Sequence, residues 1–100
     1  MLTGKQKRYL RGLGHGIKPV IMVGKGEISA ALVKETDEAL DAHELIKVKI
    51  LESCLLDREV VAKGVADACT AEIAQILGRT FLIFRRAKDP KIELPSAKKY

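Results

Sequence analysis

The chain has 100 residues, 47% of them hydrophobic and 31% charged, with two cysteines and a formal net charge of +5. That is enough chain for one modest core, a composition that excludes wholesale disorder, and too little cysteine for a disulfide scaffold. The longest apolar runs, such as Val20 to Val23 and Phe81 to Phe84, are four residues, whereas a membrane span needs about 20.

Thr3 followed by Gln6 matches a capping box and predicts a first helix. Its narrow apolar stripe is Tyr9, Leu10 and Leu13, set among Lys5, Lys7, Arg8 and Arg11, and Gly12 and Gly14 are expected to stop it. Ile17-Lys18-Pro19 then leads into Val20-Ile21-Met22-Val23, a β-branched run that reads as a buried strand. Gly24-Lys25-Gly26-Glu27 is a turn. Ser29 is an N-cap for a second helix reaching about His43, with Leu32, Val33, Thr36, Ala39 and Leu40 inward and Glu35, Asp37, Glu38 and Asp41 toward water. From Glu44 to Leu51 the chain alternates, with Ile46, Val48 and Ile50 on one face and Lys47 and Lys49 on the other, as in a half-buried strand.

Asp57 is placed to cap a third helix whose stripe reads Val60, Val61, Gly64, Val65 and Ala68. Two strands, 72–77 and about 80–85, flank Gly78-Arg79, a loop suited to a type II′ hairpin. Lys88 to Lys91 reads as a turn, and a tail at 96–100 is expected to be mobile. The order is α-β-α-β-α-β-β. Two βαβ crossovers and a hairpin make an α/β fold with a four-stranded mixed sheet, one domain over 1–95. The second and third helices belong on one face of the sheet, the packing of the first stays open, and an exposed last strand leaves pairing between chains possible.

Charge is segregated along the chain. Residues 1–26 carry six basic side chains (Lys5, Lys7, Arg8, Arg11, Lys18 and Lys25) and no carboxylate. Residues 27–78 carry five basic and eleven acidic side chains, and residues 79–100 seven basic and two acidic. A concentrated basic surface attracts polyanions, because bound Lys and Arg release counterions condensed on phosphates. Solubility alone is the bland alternative. An anionic membrane surface is the lesser competitor, since it favours a helix with a wide apolar face. Nothing near the N-terminus resembles the apolar core of a secretory signal, so a cytoplasmic setting is expected. Cys54 and Cys69 then read as reduced core residues, spaced unlike any zinc pattern.

The strongest local signal is the strand–turn–helix unit from Val20 to Ser29. Glycines let backbone approach a ligand, the helix N-terminus offers unpaired N–H groups, and Lys25 adds a cation. The loop matches neither the P-loop nor the dinucleotide fingerprint. The aromatics are Tyr9, Phe81, Phe84 and Tyr100, too few on strands for the stacking platform of an RRM, so backbone recognition is the better reading. His15 and His43 lack the sequence context of a nucleophile or metal site. His43 reads as a helix C-terminal residue interacting with the dipole, and the carboxylates of the middle third as solvated helix faces. No catalysis, metal or cofactor is expected.

Four ordered blocks carry a family resemblance: Thr3 to Arg11, Ile17-Lys18-Pro19-Val20 leading to Val23-Gly24, His43 to Lys49, and Lys88 to Pro95. With these the chain resembles the YhbY-like family, whose bacterial members share the CRM domain with plant organellar splicing factors. The resemblance implies a fold similar to the C-terminal domain of translation initiation factor three. It also implies RNA binding through a GxxG loop beside a basic surface, with bacterial members associated with large-subunit precursors. Gly24 and Lys25 match the first half of that loop, whereas Glu27 stands where the closing glycine is expected. A carboxylate there opposes phosphate, and a positive φ would disfavour it. The reading favoured is that Gly26 supplies the flexibility and Glu27 points away.

The expected function is non-catalytic binding of ribosomal RNA or large-subunit precursors during ribosome assembly. Gly24, Lys25 and Gly26 would hold phosphate, and Lys5, Lys7, Arg8, Arg11 and Lys18 would extend the track. Arg85, Arg86 and Lys88 would join if the last strand ends nearby, with Lys47 and Lys49 as weaker candidates. The alternatives are a protein adaptor acting through acidic residues such as Glu35 and Asp41, or a DNA-binding nucleoprotein. Oligomeric state stays open.

Overall fold

The computed structural model describes residues 2–95, so the tail assigned to 96–100 lies outside the described residues. Each helix starts where the sequence supplies a cap. At the head of α1 (Gly4–Gly14), Thr3 Oγ1 accepts from the Gln6 N–H and Gln6 Oε1 accepts from the Thr3 N–H, both at 3.1 Å. At the head of α2 (Ala30–His43), Ser29 Oγ accepts from the Leu32 N–H at 3.1 Å. Asp57 holds the corresponding position before α3 (Arg58–Ala68), but its side chain makes no capping hydrogen bond.

The strands are β1 (Pro19–Val23), β2 (Leu45–Ile50), β3 (Glu72–Leu77) and β4 (Thr80–Phe84), in the spatial order β1-β2-β4-β3. β1 runs parallel to β2, with Pro19 beside Lys47 and Val23 beside Ile50. β4 runs antiparallel to both neighbours, and Phe84 stands between Leu45 and Glu72. At the hairpin the positive φ falls on Gly78 and not on Arg79, as a type II′ turn requires.

Two strands differ from the sequence reading. The last strand is not exposed: β4 lies between β2 and β3, and Phe81 to Phe84 are buried. The open edges are β1 and β3. β1, expected to be buried, is an edge strand with Ile21 and Val23 inward and Val20 and Met22 outward. An apolar run without alternation fits either setting, and the neighbours decide it.

Two cores sandwich the sheet. α2 and α3 cover one face, over Ile21, Val23, Ile46, Val48, Ile50, Phe81 and Ile83. α1 covers part of the other, where Leu2 and Leu10 meet Leu45, Ala74, Leu82 and Phe84. The consecutive apolar residues of β4 serve both cores in alternation, as a strand buried on both faces demands. α1 continues through Gly12 to Gly14, where a Cβ would collide with the Leu82 side chain. Its buried positions are Leu10 and Gly14, while Tyr9 and Leu13 are exposed. On α3 the buried residues are Val61, Ala62, Val65 and Ala66, and the expected Val60 and Ala68 face water. The α2 stripe is as predicted, with Leu32, Thr36 and Leu40 buried.

Cys54 and Cys69 are both buried. Burial, and then the neighbouring Asp37 carboxylate, push the Cys69 thiol up to about 11, which keeps it protonated and unreactive.

Glu44 is the largest departure from the expected solvated carboxylates. It is fully buried at the C-terminal end of α2, with φ 64 and ψ −47, a conformation that non-glycine residues rarely adopt. Its Oε1 accepts from the Lys91 and Ile92 N–H groups at 2.6 and 2.7 Å, and Oε2 from the Ala87 N–H at 2.8 Å. Burial pushes this carboxyl up, but the three backbone donors and then the Arg86 charge outweigh it and hold it below its ordinary value. The carboxylate thereby pins the chain after β4 so that Ile92 and Leu94 pack onto the α1-side core. No helix among the described residues is long and apolar enough to cross a membrane.

Candidate nucleic-acid interface

The loop after β1 is a tight turn, closed by the Glu27 N–H donating to the Gly24 carbonyl at 3.0 Å. Gly24 packs closely, since a Cβ there would sit 3.1 Å from Ser53 Oγ and the serine would have to give way. Gly26 does not: a Cβ there would meet open space, and its φ is ordinary. The positive φ, 53, falls instead on Glu27, so the expected role of Gly26 as the flexible residue is corrected. Gly26 and the exposed Lys25 therefore present bare backbone and one cation to solvent directly before α2.

Behind the loop lies an arginine that pattern reading did not single out. Arg79 Nη2 donates to the Leu51 and Cys54 carbonyls at 3.1 and 3.3 Å, and so fixes the 51–54 turn against which Gly24 rests. Its only sequence signal was its place beside the hairpin glycine.

The remaining predicted cations divide into two groups. On α1, Lys5 and Arg8 are exposed and Lys7 and Arg11 half-buried, and Lys18 stands exposed before β1. Lys47 and Lys49 point to this same side of the sheet, because Ile46, Val48 and Ile50 fill the opposite core. Met22 lies beside Lys49 and Pro19 beside Lys47, so the lysines of β2 run from the end of α1 toward the glycine loop. The sequence reading ranked these two lysines low. The geometry makes them the link.

Arg85, Arg86 and Lys88 do not reach the glycine loop, although Arg86 shares a cleft with Leu2 and Gln6 at the head of α1. β4 ends beside Leu45, whereas the glycine loop follows Val23 beside Ile50, at the opposite end of the sheet. Arg85 is also committed elsewhere. Its Nη1 donates to Asp37 Oδ1 and the Cys69 carbonyl, both at 2.7 Å, and its Nη2 to the Asp37 carbonyl and Asp41 Oδ1, both at 3.0 Å. Burial alone would lower its pKa, but the two carboxylates more than offset that and hold it above its ordinary value. Asp37 and Asp41, expected to face water, are thus structural partners. Arg86 and Lys88 are exposed beyond β4.

Between the end of α1 and the open part of the β1–β2 face lies a groove of about 480 Å³. Leu13, Ile17, Val20, Leu45 and Ile92 give it apolar walls, Lys18, Lys47 and His43 also line it, and among the described residues no carboxylate does. His43, placed in the sequence reading as a dipole-capping residue, is the last residue of α2 and faces this groove. His15 is exposed at the C-cap of α1. Among the described residues no group of three or more His, Cys, Asp or Glu side chains could hold a metal ion.

Comparison with known proteins places this geometry among relatives. Residues 2–85 match the family model of the CRS1 / YhbY (CRM) domain. The chain is 42% identical over 96 residues to "Probable RNA-binding protein YqeI" of Bacillus subtilis, covering 95% of this chain and 100% of that one. It is 32% identical over 94 residues to a Haemophilus influenzae protein named "RNA-binding protein", covering 94% and 95% of the two chains. The fold is similar to the solution structure of SAV1595 from Staphylococcus aureus, an RNA-binding candidate, with a TM-score of 0.81, 44% identity, and coverage of 95% of this chain and 100% of that one.

Proposed function

The chain belongs to the CRS1 / YhbY (CRM) domain family, and from that premise we propose that it is a non-catalytic RNA-binding protein of the cytoplasm that acts on ribosomal RNA or large-subunit precursors during ribosome assembly. The observation that carries this reading is the sorting of charge between the two faces of the sheet. The α1 side bears Lys5, Arg8, Lys18, Lys47 and Lys49 and leads to Lys25 in the glycine loop. On the α2–α3 side the six carboxylates of the helices (Glu35, Asp37, Glu38, Asp41, Glu59 and Asp67) outnumber Lys34, Arg58 and Lys63. A phosphate chain laid along the first side meets cations on α1, on β2 and at the loop, where Glu27 opposes it. The loop backbone at Gly26 stays open to it without any demand from the fold.

Arg85 has no part in this track, because two aspartates already hold it. The same ion pairs weaken the adaptor alternative, since Asp41 is engaged within the chain.

Binding of the full chain to structured ribosomal RNA and to matched duplex DNA across a salt series tests the proposal, with a Lys5→Ala/Arg8→Ala/Lys25→Ala variant alongside. If about six phosphates are neutralised on single-stranded regions, log K falls with log salt at a slope near −4. RNA preference lost in the variant is the expected result. A slope near zero, or a variant that binds as tightly as the parent, would overturn the proposal.

A further inference from the structure

Phosphate recognition needs cations and backbone N–H groups, and it has no use for an aliphatic slot. Yet the cationic face is interrupted by one. Val20 remains 48% exposed on β1, Leu13 projects from α1 at 38%, and the groove between them has mainly aliphatic walls, with Lys18, Lys47 and His43 also lining it. Its volume of about 480 Å³ lies within the roughly 300–1,000 Å³ of sites for small organic ligands. The ligand class that brings a flat apolar face and a negative charge together is a nucleotide within a chain. In duplex RNA the bases are stacked and paired inside the helix, whereas a single strand can splay one out.

We propose that this groove accepts one unstacked base of single-stranded RNA, with the flanking phosphates on Lys18 and Lys47, so that the protein selects single-stranded over duplex segments. The inference rests on the RNA-binding reading above and deepens it. Charge complementarity identifies the occupant: two lysines and, among the described residues, no carboxylate line the groove, and the lysine row of β2 carries the backbone onward to the loop. Base-edge contacts are limited to His43 and the two lysines, because the rest of the wall is aliphatic. The preference is for strand form over sequence.

The test uses the full chain and a short oligoribonucleotide with one 2-aminopurine, offered single-stranded and annealed to its complement. Anisotropy gives affinity, and the probe's own fluorescence reports unstacking. The parent should favour the single strand by about tenfold, in line with roughly 60 Å² of apolar base surface removed from water, with a change in probe emission. A Leu13→Gln/Val20→Thr variant keeps charge and secondary-structure preference but makes the walls polar. It should lose the preference while keeping duplex affinity and salt slope, and the retained duplex affinity shows that it is folded. An abasic site in place of the 2-aminopurine should weaken binding to the parent by a similar factor.

Equal affinity for both strand forms overturns the proposal, and so does a variant that keeps the preference or loses duplex binding as well. A groove that fills with an apolar dye but shows no strand preference belongs to an apolar side chain of a protein partner, which also overturns it. Salt-sensitive binding without strand preference would sink the groove alone and leave the RNA reading standing. Failure to bind either form would remove both.

Discussion

Replacing Glu44 with Gln removes a charge that three backbone donors share. Hydrogen bonds to charged groups contribute about 1.5–3 kcal/mol each, against about 1 for neutral pairs. In E44Q the amide oxygen still receives the Lys91 and Ile92 N–H groups, now without charge assistance, while the amide nitrogen turns a donor toward the Ala87 N–H. One bond is lost and two are weakened, so the expected loss is at least about 2.5 kcal/mol, a large share of the roughly 5–15 that holds a domain together. E44A strands all three donors in a buried setting and should cost more.

The pH dependence follows from the lowered pKa of Glu44. Its stabilisation is fully present above the unfolded value of about 4.3 and is lost as pH falls through the folded value. E44Q has no such ionisation, so the gap between the parent and E44Q should narrow below about pH 4. Urea unfolding followed by far-ultraviolet circular dichroism, from neutral to acidic pH, measures both quantities. A gap under about 0.5 kcal/mol at pH 7, the size of an ordinary surface change, or one that ignores acid, would refute the reasoning.

Glu27→Gly relieves a left-handed backbone, at φ 53, of about 1–2 kcal/mol, offset by about 0.5–1 of added chain entropy. Stability should change little while RNA affinity rises, and unchanged affinity would show that the carboxylate lies away from the phosphates. Thr70 sits at φ 54 after α3, where Thr70 and Ala71 donate back to Asp67 and Ala66 in a Schellman turn that favours glycine. Thr70→Gly should therefore stabilise the protein by about 1 kcal/mol and raise Tm by roughly 4–8 °C on thermal unfolding; a lower Tm would contradict this. Arg85→Ala should destabilise by about 1–3 kcal/mol in denaturant titration, yet leave the RNA affinity of the folded fraction unchanged. A loss of affinity at full folding would return Arg85 to the interface.

Element order was legible because caps and periodicities are local. Thr3, Gln6 and Ser29 announce helix starts, and the alternation from Ile46 to Ile50 announces a strand with one wet face. The positive φ feared for Glu27 was also legible, from a glycine expected at its place. What stayed hidden depends on partners far along the chain. A cation after a strand looks the same whether it reaches solvent or folds back on Asp37 and Asp41, and a glutamate after a helix looks solvated until residues 87–92 return to it. On α3 Val61 and Val65 are buried as the stripe predicted, whereas Val60 and Ala68 are exposed and the weakly apolar Ala62 and Ala66 take the inward positions.

The place of β4 bears on how the chain is made. The strand between β2 and β3 is the last of the four to leave the ribosome, and until residues 80–84 emerge β2 and β3 have no common neighbour. A nascent chain that has finished β3 thus carries two unsatisfied strand edges, the condition that invites wrong pairing between chains. Glu44 waits longer still, since its donors arrive only with residues 87–92. Folding is therefore postponed until residues 80–92 have been made, and a chain cut short before β4 is a candidate for chaperone capture or degradation rather than a smaller working version of the protein.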